Sequence, residues 1–347
     1  MRWFIVPLLS VMLLGLPVAA QEAPPGGDEN YVTPGMEGRA PSAAPLEGDD
    51  VHIFTDYDGT VAGFVSIPDR QSGVLVQEQG RDWRAFRSGW FLWIAGGLIL
   101  LTVGALAAFF FWRGRIRIES GRSGRWVPRF NGLERFAHWA TAISFLALAI
   151  TGLIITFGRP LLIPLMGHAA FTPLAEASKT LHNIAAPPFV IGIVMMLVLW
   201  LRDNIPNRTD IEWLRQAGGM FSAPGTPHPE AERFNAGQKM IFWIVTLGGL
   251  LVSATGLVLL MPFFFADIGG MQVAQVVHAL TAAALIAVII AHIYLGTLGM
   301  EGAFDAMGRG EVDENWAREH HSGWYKTLKR PAPDAPAPTD GKGVPAE

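Results

Sequence analysis

Cysteine is absent from all 347 residues. That excludes disulfides, cysteine-ligated iron–sulfur clusters and covalently attached c-type haem. Charge is scarce too. Asp, Glu, Lys and Arg make up 16% of the chain against 50% hydrophobic residues, too little charge for an ordinary soluble protein. The net charge of −4 is small, so no nucleic-acid partner is implied.

What is present is a series of apolar runs. Residues 1–20 carry Arg2, an apolar core and Val18-Ala19-Ala20, the pattern of a signal peptide cut before Gln21. Residues 21–88 are polar. Up to about residue 48 they are rich in Pro, Gly, Glu and Ala, which predicts disorder. From His52 to Gly80, β-branched runs broken by Asp58-Gly59 and Pro68-Asp69 predict a small hairpin. Five membrane spans are expected next, at about 90–112, 136–157, 181–201, 240–265 and 271–298.

Arg113, Arg115, Arg117, Arg122, Arg125, Arg129 and Arg135 follow the first span. Arg202, Arg208, Arg215 and Arg233 follow the third, whereas the loop after the fourth carries Asp267 and no basic residue. Basic loops mark the cytoplasmic face. The N-terminal region, 21–88, is therefore expected in the periplasm and the polar tail, 299–347, in the cytoplasm, the chain lying in a bacterial inner membrane. The fold class is an all-α membrane protein. It has a four-helix transmembrane bundle over 113–298 and one extra N-terminal transmembrane helix at 89–112.

The last span holds His278 and His292, fourteen residues apart. Fourteen helical residues rise about 21 Å and turn within about 40° of four full turns. Both imidazoles thus share one side of the helix, one near each membrane face. An ionisable residue inside a span is costly and marks function by default. His138 lies near the cytoplasmic end of the second span and His182 near the periplasmic end of the third. By depth, His182 pairs with His278 and His138 with His292. That is the ligand set for two bis-histidine haem b groups, one above the other and held non-covalently. The competing reading is that each histidine only hydrogen-bonds a neighbouring helix. His52, His168, His228, His320 and His321 fall in loops or tails and read as solvated.

Other residues carry two readings each. Gly152, fourteen residues after His138, either admits a macrocycle to the backbone or serves small-residue packing. Pro187-Pro188 predict a kink after His182. Arg135 and Arg129 on one side, and Lys179 on the other, are candidates for haem propionates, with topogenesis as the competing role of the arginines. Asn235, Gln238 and Lys239 stand where a loop becomes the fourth span. The two amides either hydrogen-bond a quinone carbonyl or, through Asn235, cap the helix.

The motifs RFNGLERFAHW with His138, TLHN with His182, ERFNAGQK before the fourth span, and His278 with His292-Ile293-Tyr294 together resemble one family. It is the γ subunit of membrane-bound formate dehydrogenase, a dihaem cytochrome b, and the resemblance runs from about residue 129 to 329. It implies that the four histidines ligate two b haems. It also implies that Asn235, Gly237 and Gln238 line a quinone pocket with His292, for menaquinone or ubiquinone. The implied partners are a catalytic subunit with a molybdenum or tungsten cofactor, an iron–sulfur β subunit and membrane lipid. The chain would perform no formate chemistry itself. It would anchor the complex and pass electrons from the periplasmic side to quinone near the cytoplasm, in anaerobic respiration. The first 128 residues depart from the family pattern. Cytochrome b subunits of nickel–iron hydrogenase and thiosulfate reductase are the nearest alternatives. A transporter or assembly factor using intramembrane histidines is the alternative of another class.

Overall fold

The computed structural model describes residues 51–55, 61–65, 74–76, 78–219, 226 and 228–328. The expected signal peptide, the expected disordered segment and the end of the tail lie outside these residues. The chain divides into two units, residues 1–85 with 266–272 and residues 86–265 with 273–347. In the first, β1 (Val51–Thr55), β2 (Val61–Val65) and β3 (Val74–Val76) form an antiparallel sheet, with Val51 opposite Val65. These strands fall on the β-branched runs that predict a hairpin.

The helices follow in the order α1 (Glu78–Ser88), α2 (Trp90–Arg113), α3 (Gly132–Phe157) and α4 (Ile163–Trp200). Then come α5 (Arg208–Arg215), α6 (Ala236–Leu260) and α7 (Ile268–Tyr294). Among the described residues, four continuous helical stretches are long and apolar enough to cross a membrane. One of them, Gly132–Trp200, is 69 residues long and contains both α3 and α4, so the apolar helices match the five expected spans.

Asn131 starts α3 through a capping box with Glu134, at 3.0 and 2.9 Å. α4 runs back antiparallel along α3. Trp200 Nε1 donates to Glu134 Oε1 at 2.9 Å at one end, and Thr151 meets His182 at 2.8 Å towards the other. Here the sequence reading needs two corrections. The third helix starts eighteen residues before the expected span, because Glu176, Lys179 and Thr180 are polar yet compatible with a helix. The backbone break is at Gly167 (φ 77, ψ 168), not at Pro187-Pro188, where the residues keep helical angles. Proline's own φ is helical, and a membrane helix tolerates the freed carbonyls.

The extra helix α2 packs on α7 through Phe91, Ala95 and Ala283. Further along, the rings of Phe109 and Phe110 meet Tyr294 edge-on at 6.5 and 6.4 Å.

The arginine-rich ends of the helices converge. β4 (Trp126–Pro128) pairs antiparallel with β5 (Glu311–Asp313), and Ile116 exchanges backbone bonds with Gly299 and Glu301. Arg233 donates to Asp203 at 2.7 Å and to Glu134 at 2.6 Å. Lys239 is buried and held by Asp210 at 2.9 Å and Glu232 at 3.4 Å. Breaking such a buried pair strands the other charge, so these contacts fix the loops to the helix ends.

The segment expected as a polar tail is folded through Thr327. It forms α8 (Ala303–Gly308), β5, α9 (Glu314–His320) and α10 (Ser322–Thr327). His320 and His321 are 7% and 1% exposed, which corrects their reading as solvated. His321 Nδ1 donates to the Glu232 carbonyl at 2.7 Å, so its Nε2 accepts from Arg129 Nη2 at 3.1 Å. Arg129 itself is buried, its Cζ 5.2 Å from the Trp316 ring centre and 4.8 Å from that of Trp324. His168 is exposed as expected.

Burial and then Arg129 push His321 well below its ordinary 6.5, and burial and then His228 lower His320 to about 4. As pH falls from about 6.5 to about 4, the unfolded segment binds protons that the folded one refuses, so stability is lost through that window. Protection of the C-terminal segment against limited proteolysis should fall as the purified protein is acidified from about pH 7 to about pH 4.5. Protection that is flat with pH contradicts the assignment.

Candidate functional site

The rings of His138 on α3 and His292 on α7 lie 6.1 Å apart, centre to centre. Those of His182 on α4 and His278 on α7 lie 6.2 Å apart. A ring nitrogen sits about 1.1 Å from the ring centre, so facing nitrogens would be about 4 Å apart, beyond a hydrogen bond. One metal ion with two imidazole bonds of about 2.0 Å spans that gap. The two rings of a pair are too far apart for a direct bond, while His182 and His278 each also hydrogen-bond a neighbouring helix, at Thr151 and Thr255.

The protonation of one pair can be read from its neighbours. Thr151 Oγ1 donates to the Ala147 carbonyl at 2.7 Å, so towards His182 Nδ1, at 2.8 Å, it acts as acceptor. Thr255 Oγ1 likewise donates to the Leu251 carbonyl at 2.8 Å and accepts from His278 Nδ1 at 3.2 Å. The Val252 carbonyl is a second acceptor for His278 Nδ1, at 3.0 Å. Both histidines thus carry hydrogen on Nδ1 and keep the Nε2 lone pair for a metal. This is the usual outer-shell arrangement of metal-binding histidine. At the other level, His138 Nδ1 is buried without a protein partner.

Two glycines lie against these rings. A Cβ on Gly152 would lie 3.5 Å from His182 Cε1, and one on Gly256 3.3 Å from His278 Cε1. The contact at Gly152 is an ordinary one and that at Gly256 a tight one. In the sequence Gly152 carries two readings, a macrocycle against the backbone or small-residue packing. Thr151, Thr255 and Gly256 were missed in the sequence. The available signal was a repeat, Thr-Gly-Leu at 151–153 and again at 255–257.

The other candidate residues have partners of their own. Asn235 Oδ1 accepts from Gln238 N at 2.9 Å, and Gln238 Oε1 accepts from Asn235 N at 3.1 Å. This capping box starts α6 and engages the amide oxygens; the amino groups, which are the donors, stand outside it. A Cβ on Gly237 would lie 3.0 Å from the Trp213 ring, so the glycine lets α5 pack against α6. Arg135 donates to the carbonyls of Met307, at 3.1 Å, and Gly308, capping the end of α8. Lys179 donates to Asn183 at 3.4 Å. Beside α6, on another face than the amides, a cleft of about 310 Å³ is lined by residues including Leu214, Met240, Trp243 and Ile244.

Residues 129–310 match the family model described as prokaryotic cytochrome b561. A formate dehydrogenase cytochrome b556(fdo) subunit from Escherichia coli is 30% identical over 207 residues, 59% of this chain and 94% of that protein. The nitrate-inducible cytochrome b556(Fdn) subunit of the same species is 29% identical over 209 residues, 59% and 92% of the two chains. A formate dehydrogenase cytochrome b556 subunit of Haemophilus influenzae is 27% identical over 215 residues, 60% and 86%. Helix α2 precedes the matched region. The histidine pairs, spaced for an iron between them and two of the four rings fixed in the ligating tautomer, fit the b-type haem that the family name implies. The chain belongs to the prokaryotic cytochrome b561 family, a membrane cytochrome b.

Proposed function

We propose that the chain is the membrane anchor and electron-transfer subunit of a respiratory formate dehydrogenase. The observation that carries this is the pair of histidine clamps, 6.1 and 6.2 Å wide and fourteen residues apart on α7, in a chain similar to formate dehydrogenase cytochrome subunits. His182 and His278 hold one haem b and His138 and His292 the second. When bound, haem b supplies one-electron transfer at both depths, between an iron–sulfur partner outside and a quinone inside.

The chain's own residues do the rest. The apolar helices exclude water and ions from the space between the two levels. The arginines at the converging helix ends hold that end in the cytoplasm of the inner membrane, with the N-terminal region in the periplasm. Asn235, Gly237, Gln238 and His292 form the quinone pocket, and Arg135 supports the nearby propionate with the hydrogens its carbonyl partners leave free. Quinone reduction draws protons from the cytoplasm, while formate oxidation by the catalytic partner releases its proton outside. Charge separation then needs no moving part.

Affinity purification from native membranes tests the assignment. A molybdenum- or tungsten-containing subunit and an iron–sulfur subunit should co-purify, and formate should bleach or reduce the b-type spectrum of the complex. Co-purification of a nickel–iron hydrogenase, with dihydrogen and not formate as reductant, overturns it.

A further inference from the structure

We propose that Thr151 and Thr255 set the redox potential of the His182/His278 level below that of the His138/His292 level, so that electron transfer inwards is downhill. This rests on the function proposed above and assigns a direction within it.

Thr-Gly-Leu occurs twice, at 151–153 and at 255–257. Thr151 on α3 faces a histidine of α4, and Thr255 on α6 faces a histidine of α7. In each case the ring lies beside the glycine that follows the threonine, and the threonine oxygen takes the Nδ1 hydrogen. Each hydroxyl hydrogen is already committed to a carbonyl of its own helix, Ala147 or Leu251. The oxygen can therefore only accept, and the carbonyl behind it polarises it further. His278 has the Val252 carbonyl as well, at 3.0 Å.

An acceptor on Nδ1–H makes the imidazole a stronger donor through Nε2. A more basic axial ligand stabilises the oxidised iron over the reduced, which lowers the potential. Both rings of this level receive that bond. At the other level His138 Nδ1 has no acceptor among the described residues. The difference between the levels is thus built into side chains on α3 and α6 that touch no iron. Thr151 and Thr255 are positioning residues. Ordinary helix packing by threonine would hold the rings equally well but would not order the potentials.

The test is a potentiometric titration of the purified protein, followed optically and by electron paramagnetic resonance. Two b-type components are first assigned through His278→Ala, which should remove the lower one. Thr151→Val and Thr255→Val should each raise that same component and leave the upper one in place, and the double variant should raise it further. Thr151→Ser and Thr255→Ser keep the acceptor and should titrate as wild type. If a valine variant fails to load, the alanine variant is titrated in its place, with the same upward shift expected. An unshifted lower component in these variants overturns the proposal, as does loss of the higher component in His278→Ala. Fewer than two components in the wild-type protein instead overturns the two-haem reading.

Discussion

Replacing His278 or His182 by alanine should take the purified protein from about two haems per chain to about one, with the spectrum of the other left intact. His138→Ala or His292→Ala should do the same to the complementary component. The expectation rests on the two clamps. At 6.1 and 6.2 Å each pair leaves room for one iron and for no direct bond between its rings. Removal of either member would leave a haem iron there with one protein ligand. The four variants should therefore fall into two spectral classes of two. If His138→Ala and His278→Ala erase the same component, the pairing is wrong. If all four erase both, the sites are not independent and the bundle fails as a unit.

That pairing was legible in the sequence for a physical reason. Fourteen residues nearly complete four helical turns, so spacing alone puts His278 and His292 on one side of a span, and arginine counts give an expected depth for every histidine. The capping box of α6 was half-legible, because Asn235 at a span entrance signals a cap. What escaped was everything that depends on which helix lies beside which. Gly152 was noticed, yet its neighbour is the His182 ring, and only the antiparallel lie of α4 on α3 decides that. Thr255 and Gly256 repeat the Thr-Gly-Leu of 151–153, but what that repeat faces is settled only by α7 lying beside α6.

The C-terminal segment shows the same limit. Its helices are six or seven residues long and look polar when read alone. Val312, Trp316, Ala317 and His321 are buried because residues far earlier in the chain cover them, among them Ile118, Phe130 and Phe234. Arg129 read as a topogenic charge or a propionate partner. It is enclosed by Phe130, Trp316 and Trp324, joining the start of the bundle to its end. No local pattern announces a contact of that sequence separation.

Quinone reduction should slow about a hundredfold or more in Asn235→Ser, per assembled haem, while the protein stays folded and the haems remain reducible by the donor complex. A quinone oxygen gains negative charge on reduction, and a fixed donor aimed at such an oxygen is typically worth about 2.7–4 kcal/mol. Asn235 opens α6 at the same end of the bundle at which His292 closes α7. Its capping role uses the Oδ1 atom, 2.9 Å from Gln238 N, and leaves the amino group as donor. Serine keeps a capping oxygen of similar quality and has no amide. The two roles therefore separate in this variant, as they would not in Asn235→Leu, where turnover and about 1 kcal/mol of helix capping are lost together. Gln238→Glu repeats the logic on the other half of the box, since the carboxylate still accepts from Asn235 N. The measurement is quinone reduction normalised to spectroscopic haem. Wild-type turnover in Asn235→Ser reduces Asn235 to a cap, and the quinone seat then moves to the cleft beside Leu214, Met240 and Trp243, where Trp243→Ala becomes the variant that slows it.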